Sequence, residues 1–257
     1  MDKLKVRVIS FHSTPPLLRT LERLFPTSDV SVQRAVDLRG VETKHLLATK
    51  LIGHTAANSI QNGRRWHHEI ARKGAVGLAH AVRFALSDIT HQLLLFEEDC
   101  VIHDEDRFMG YVHQLVEHSS EFDVAVLGTL HREQKIDESV DAIEGWIHIK
   151  DKFWGLHCVL YSTMGCKKIS SALDAPLDMQ IDSLYGSMAA NDTLTIWGQQ
   201  NNPCVAQSLH VSSIQDSRMP LAMDSILVTV WALFTVLTTI VATVSLTVLL
   251  RRHRADI

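Results

Sequence analysis

Glu97, Glu98 and Asp99 follow one another directly after the apolar run HQLLLF at 91–96. Adjacent carboxylates withdrawn from water repel one another, so a cluster that closes a buried strand asks for a compensating cation. Oxygen ligands favour a hard divalent ion, magnesium or manganese, of the kind that bridges nucleotide phosphates and stabilises a departing diphosphate. The competing reading is a solvated acidic turn, because strand ends often carry charge. A second pair, Asp178 and Asp182, stands four residues apart in LDMQIDSLYGSM, a spacing that predicts both on one helical face. The plain alternative there is that Asp178 caps the following helix while Asp182 faces solvent. Trp154 and Tyr161 are able to stack on a base or sugar ring, although aromatics beside an apolar strand are more often core. The 15 histidines show no zinc-helix spacing. Cys100, Cys158, Cys166 and Cys204 show no C-x-x-C spacing and read as free thiols.

These residues need a frame. KVRVISF at 5–11 reads as a strand, Pro15 and Pro16 then open a leucine-periodic helix, and Ser31 to Val36 reads as a second strand. Thr43 to Arg72 has no clear period and is expected to be loop and irregular helix. Gly74 to Leu86 reads as a buried helix leading into the strand that ends at the carboxylates, where open α/β sheets place ligands. Further strands are expected at 123–128 and 153–161, a helix at 162–173, an edge strand at 193–197, and a polar loop from Gln199 to Ser217.

With 257 residues and 46% hydrophobic composition the chain supports one sizeable core. Net charge is -4, from 25 basic and 29 acidic residues, so no overall basic field draws it to nucleic acid. From Ile226 to Leu250 no residue is charged, and at helical rise that length exceeds the ~30 Å hydrocarbon core. The expected organisation is a domain at 1–217, a juxtamembrane linker at 218–225, a transmembrane helix at 226–250 and a basic tail at 251–257. The N-terminal MDKLKVRVIS lacks the apolar stretch of a signal peptide, which favours a tail-anchored protein with a cytosolic domain. The side of the membrane stays open, between an endoplasmic reticulum or Golgi type and another cellular membrane.

In order and content these segments resemble glycosyltransferase family 25, which contains lipopolysaccharide and procollagen galactosyltransferases. RVISFHSTPPLLRTLERLF followed by VQRAVDLRG is similar to the family's first strand, helix and A-x-D-G-like turn, here with Asp37 and Gly40 two residues apart. GAVGLAHAVRFAL resembles its glycine-rich helix, with Ala81 and Val82 at the place of a Ser-His pair and His80 two residues earlier, where a structural histidine is expected. LLLFEEDCVI resembles the strand ending in Leu-Glu-Asp-Asp-Val, with Glu98 at the middle Asp. FWGLHCVLYSTMGCKKISSAL and PLDMQID are similar to the last strand, helix and Pro-x-Asp element, and bring Tyr161 and Asp178 near matching places.

The resemblance implies an α/β fold of GT-A type, a Rossmann-like, mostly parallel sheet, here with one C-terminal transmembrane helix. It implies a UDP-sugar donor held at Glu97, Glu98 and Asp99, a divalent metal, Mn2+ above others, on Asp99 and Glu97, and inversion at the anomeric carbon. Asp178 or Asp182 would then be the base for a hydroxyl of a protein or glycan acceptor. The departures at Glu98, Ala81 and Val82 motivate an alternative, an inactive adaptor of the same fold at a membrane. A metal-dependent phosphoester hydrolase is disfavoured because no His-rich motif accompanies the acidic cluster.

Overall fold

In a computed structural model the described residues are 4–62, 73–128, 131–132, 140–151, 153–199 and 204–208. The chain divides into two units, Met1–Gln215 and Asp216–Ile257, and the described residues all fall in the first.

Strand β1 (Lys5–Ser10) runs into helix α1 (Pro16–Leu24). Proline fixes its own φ and lacks an N–H that the first helical turn would leave unpaired, so Pro16 starts that helix at little cost. Strand β2 (Asp29–Arg34) follows, then helices α2 (Thr43–Ala48), α3 (His54–Gln61) and α4 (Lys73–Leu86), and strand β3 (Leu93–Glu97). Next come β4 (Cys100–Ile102), α5 (Glu105–Glu117), β5 (Val124–Val126), β6 (His131–Arg132), β7 (Trp146–Ile149), β8 (Phe153–Trp154) and β9 (Cys158–Tyr161). Helices α6 (Thr163–Ala172) and α7 (Ile181–Ala190) and strands β10 (Ile196–Gln199) and β11 (Val205–Gln207) complete the described chain.

Seven strands form one sheet in the order β2-β1-β3-β9-β5-β10-β7, and β11 with β4 and β6 with β8 form two-stranded ribbons. The core of the sheet is apolar on both faces: β3, β5, β9 and β10 have no exposed residue. On one face Leu93, Leu95, Val159 and Tyr161 pack with α4, α6 and α7. On the other, Leu94, Phe96 and Leu160 pack with α1 and α5. Helix α5 presents Phe108, Val112 and Leu115 to that second layer, all buried, and each contributes about 2 kcal/mol by leaving water. Asp104 caps the same helix, its side chain accepting the Arg107 N–H at 3.0 Å.

The expected fold class needs correction on two points. The sheet is mixed rather than mostly parallel: β1–β2, β1–β3 and β5–β10 are parallel, whereas β3–β9, β5–β9 and β7–β10 are antiparallel. Two strands are reversed: β9, which enters between β3 and β5 pointing the opposite way, and β7, which runs against β10. In addition, among the described residues no helix is long and apolar enough to cross a membrane. Neither the transmembrane helix of the expected fold class nor the membrane localisation drawn from it is found among the described residues. The segments expected as linker, span and tail, 218–225, 226–250 and 251–257, lie outside the described residues.

Smaller differences have local causes. Residues 43–62 form two regular helices rather than irregular chain. The expected strand at 153–161 breaks in two at Gly155, whose φ of 105° is open to glycine and strained for other residues. β10 is not an edge strand: it lies between β5 and β7. The loop expected from Gln199 onward contains β11. Asp178 and Asp182 do not share a helical face, because α7 begins only at Ile181, while Leu177 is held extended by a bridge to Ile52 and by the Gly53 N–H at 2.9 Å.

Candidate functional site

The C-terminal end of β3 carries the carboxylates to a rim formed with the end of β1. Glu98 and Asp99 make the turn between β3 and β4. The Glu98 N–H donates to the Ile9 carbonyl at 3.1 Å, which ties this turn to β1. The buried Ser10 hydroxyl donates to Glu98 Oε2 and accepts the His12 N–H at 2.8 Å. Asp99 is held from the far end of the described chain: Gln207 Nε2 donates to its Oδ2 at 2.8 Å, and the Ser208 N–H donates to its carbonyl at 2.7 Å. Its other carboxylate oxygen, Oδ1, is buried and has no hydrogen-bond partner among the described residues.

Asp182 joins this group from the first turn of α7. Its Oδ1 accepts the Ser183 N–H at 2.7 Å, and the Gly155 backbone N–H also donates to it. Burial raises its pKa. Burial is also the main cause at Glu97, whose pKa is pushed up from 4.5 to about 8, with the charges of Asp99, Asp182 and Glu98 adding to the shift. Asp99 is raised by burial, and the Gln207 hydrogen bond opposes that rise. The charges of Glu98, Asp99 and Asp182 thus all bear on Glu97, and a positive charge beside it would relieve the cost of ionising it.

Asp178 does not belong to this group. It is exposed, and its Oδ1 accepts the Ala56 N–H at 3.1 Å, so it caps α3 across 122 positions of sequence. Gly53 makes room for it: a Cβ there would lie 2.3 Å from Asp178 Oδ1. Tyr161 is core, its hydroxyl 2.9 Å from that of Tyr185. His80 is buried in α4, where burial lowers its pKa and a backbone bond to Leu51 holds the ring. It packs inside the helix layer, as a structural histidine does.

A pocket of about 470 Å³, including its mouth, opens on the carboxylate rim. Its walls include Ser10 at the end of β1 and Phe11 just after it, Val36, Asp37 and Arg39 after β2, and Glu97, Glu98 and Asp99. Arg39 lies over the Phe11 ring at 5.3 Å and pairs with Asp37 through Nε at 2.8 Å and Nη2 at 2.5 Å. Those two hydrogen bonds hold the Asp37 pKa down at about 2, so it stays ionised. Gly77 brings α4 close against this wall, since a Cβ there would sit 2.1 Å from the Val36 carbonyl oxygen.

Among the described residues no three His, Cys, Asp or Glu side chains gather closely enough to hold a metal ion. A magnesium-like or manganese-like cation bridged by substrate phosphates needs only one or two protein carboxylates. The unpartnered Asp99 Oδ1 and the ionisation cost at Glu97 fit that demand. Sequence reasoning missed Ser10, Phe11, Arg39, Gln207 and Ser208. The isolated Ser10 and Gln207 carry no motif, and only the fold brings them to the carboxylates.

No protein-family model matches the chain, and no curated protein matches it. Among solved structures it is similar to A197 from STIV, at 12% identity and a TM-score of 0.39 over 84% of this chain and 100% of that one. It is also similar to a mannose-1-phosphate geranyltransferase from Thermus thermophilus, at 15% identity and 0.41 over 77% and 73%. A third is a UDP-glucose pyrophosphorylase complexed with UDP-glucose, at 13% and 0.42 over 77% and 90%. Similarities of this size carry no activity or substrate from those proteins to this chain.

Proposed function

We propose that this chain is a family-25-like glycosyltransferase that moves a hexose, galactose or glucose, from a UDP-sugar to a hydroxyl of a protein or glycan acceptor, inverting the anomeric carbon. The observation that carries this reading is the single rim on which an open pocket and the carboxylates Glu97, Glu98 and Asp99 meet. Phe11 with Arg39 would offer a flat wall to a nucleoside at the pocket mouth, and ionised Asp37 an acceptor for ribose hydroxyls. Asp99 and Glu97 would hold a divalent metal, manganese before magnesium, whose chemistry when bound is to neutralise a departing diphosphate. Glu98, fixed by Ser10, would set the position of the turn and hence of Asp99.

Of the two candidate bases, Asp182 is the one this reading retains, because its charge acts on Glu97 while the Asp178 oxygen is occupied at α3. Burial makes Asp182 a stronger base than an exposed carboxylate, which suits removal of a hydroxyl proton as the new glycosidic bond forms. The test is calorimetric titration of the full chain with UDP, UDP-galactose and UDP-glucose, with and without manganese, beside Asp99→Ala. Metal-dependent binding that is lost in the variant supports the transferase. The alternative is a non-catalytic adaptor, motivated by Glu98, Ala81 and Val82 where the resembled family has other residues. Folded protein that binds none of the nucleotides would select it.

A further inference from the structure

The Glu98–Asp99 turn has a second opening. A groove of about 1270 Å³, including its open side, is lined by Pro16, Leu17 and Thr20 of α1, by the whole of β4, and by the carboxylates Glu98, Asp99 and Glu105. No lysine or arginine lines it among the described residues. Arg23 pairs with Glu105 at 2.5 Å from outside the lining, and with three carboxylates on its walls the groove keeps an acidic excess.

β4 lines this groove, and among the described residues one of its two edges pairs with no strand. Among the described residues β4 pairs with β11 alone. The Ser208 N–H donates to Asp99 O at 2.7 Å and the His103 N–H donates to Cys204 O at 2.9 Å, so Asp99, Val101 and His103 are the positions bonded to β11. In an antiparallel ladder the alternate residues, Cys100 and Ile102, project their N–H and C=O groups from the opposite edge. Glu98 lies on that same edge and donates to Ile9 of β1. The free edge is therefore directed toward β1 and α1, the groove side. Val101 is 38% exposed beside it.

We propose that this groove binds a basic peptide in extended form, added as a third strand to the β4–β11 ribbon. An extended peptide satisfies alternate N–H and C=O groups at strand spacing, and its apolar side chains meet Leu17 and Val101. Its cationic side chains meet the carboxylates, which would repel an acidic peptide or a phosphate-bearing ligand. Under the transferase reading such a peptide is the acceptor, delivered to the other side of the turn that holds the donor. The docking itself does not depend on that reading.

Fluorescence polarisation with the full chain, without nucleotide, tests it. The probes are short alternating peptides, lysine–serine, glutamate–serine and glycine–serine, and a lysine–serine peptide N-methylated at every residue, which blocks both of its edges. The lysine–serine peptide is expected to bind, the glutamate–serine peptide to fail, and Glu105→Gln to weaken binding several-fold in a way that added salt reduces. N-methylation is expected to weaken it at least about tenfold, the loss of one to two backbone hydrogen bonds, while leaving the protein untouched. Equal binding of the methylated peptide overturns strand addition, and equal binding of all three compositions overturns the charge argument. No peptide binding to a folded protein, or binding of a neutral oligosaccharide instead, overturns the proposal even where UDP binds. Peptide binding without UDP binding sustains it and sinks the transferase reading.

Discussion

Glu97→Gln is expected to stabilise the protein near pH 8 and to leave it almost unchanged near pH 4. In the folded protein the Glu97 pKa stands at about 8 against an ordinary 4.5. Below pH 4.5 the carboxyl is protonated whether or not the chain is folded, so it carries no penalty. As pH rises toward 8 the unfolded chain releases the proton and the folded one keeps it, so stability falls through that window and the whole penalty is present above it. At about 1.4 kcal/mol per pH unit the full shift corresponds to roughly 5 kcal/mol. Glu97 reaches the pocket, and screening there reduces the expected penalty to about 2 kcal/mol. Glutamine keeps the shape and removes the charge. Urea unfolding of both proteins in EDTA from about pH 4 to pH 9 would measure it, the variant gaining about 2 kcal/mol on the native chain at the alkaline end. Asp99 and Asp182 are raised in the same direction but are present in both proteins, so their response largely cancels. Stability curves that run parallel across the whole range would refute burial as the cause of the Glu97 shift.

Asp178→Ala removes the acceptor for the Ala56 N–H and should cost about 1 kcal/mol in thermal or urea unfolding while leaving nucleotide affinity as it was; lost affinity in a folded variant would return Asp178 to the site. Gly165→Ala places a Cβ 1.8 Å from the Asp123 carbonyl oxygen, a backbone atom that moves only with its strand, and should cost about 2 kcal/mol or more. An unchanged unfolding midpoint would contradict that packing. Arg39→Ala uncovers Phe11 and frees Asp37, and should weaken UDP several-fold by calorimetry with little change in unfolding, since the pair is largely exposed.

The strands nearest the site were legible because their composition is extreme. LLLF is a continuous apolar run, which a doubly covered sheet accommodates, and Glu97 to Asp99 had to fall at its end, while KVRVIS sets Val6, Val8 and Ile9 against Lys5 and Arg7 in a β-branched pattern. The mixed sheet was not legible. Nothing in CVLY distinguishes a strand that runs with its neighbours from one that runs against them, because both are buried on two faces. The spacing of Asp178 and Asp182 suggested a shared helix, yet the backbone at Leu177 had a better partner in Ile52, and that long-range bridge delays the helix to Ile181. Periodicity sees contacts one turn apart and is blind to one made over more than a hundred residues. The same blindness hid Gln207, whose significance lies wholly in where β11 lands.

The ribbon of β4 and β11 also bears on the order in which the molecule is made. Asp99 is held by Gln207 and Ser208, the first of these at a separation of 108 residues. On the ribosome β1, β2 and β3 are available to pair long before that clasp is synthesised, so the carboxylate rim is completed late. A nascent chain that stops short of Gln207 would carry every acidic residue of the rim and still lack the two contacts that fix Asp99. Competence of the rim is therefore acquired only once the β11 segment has left the ribosome.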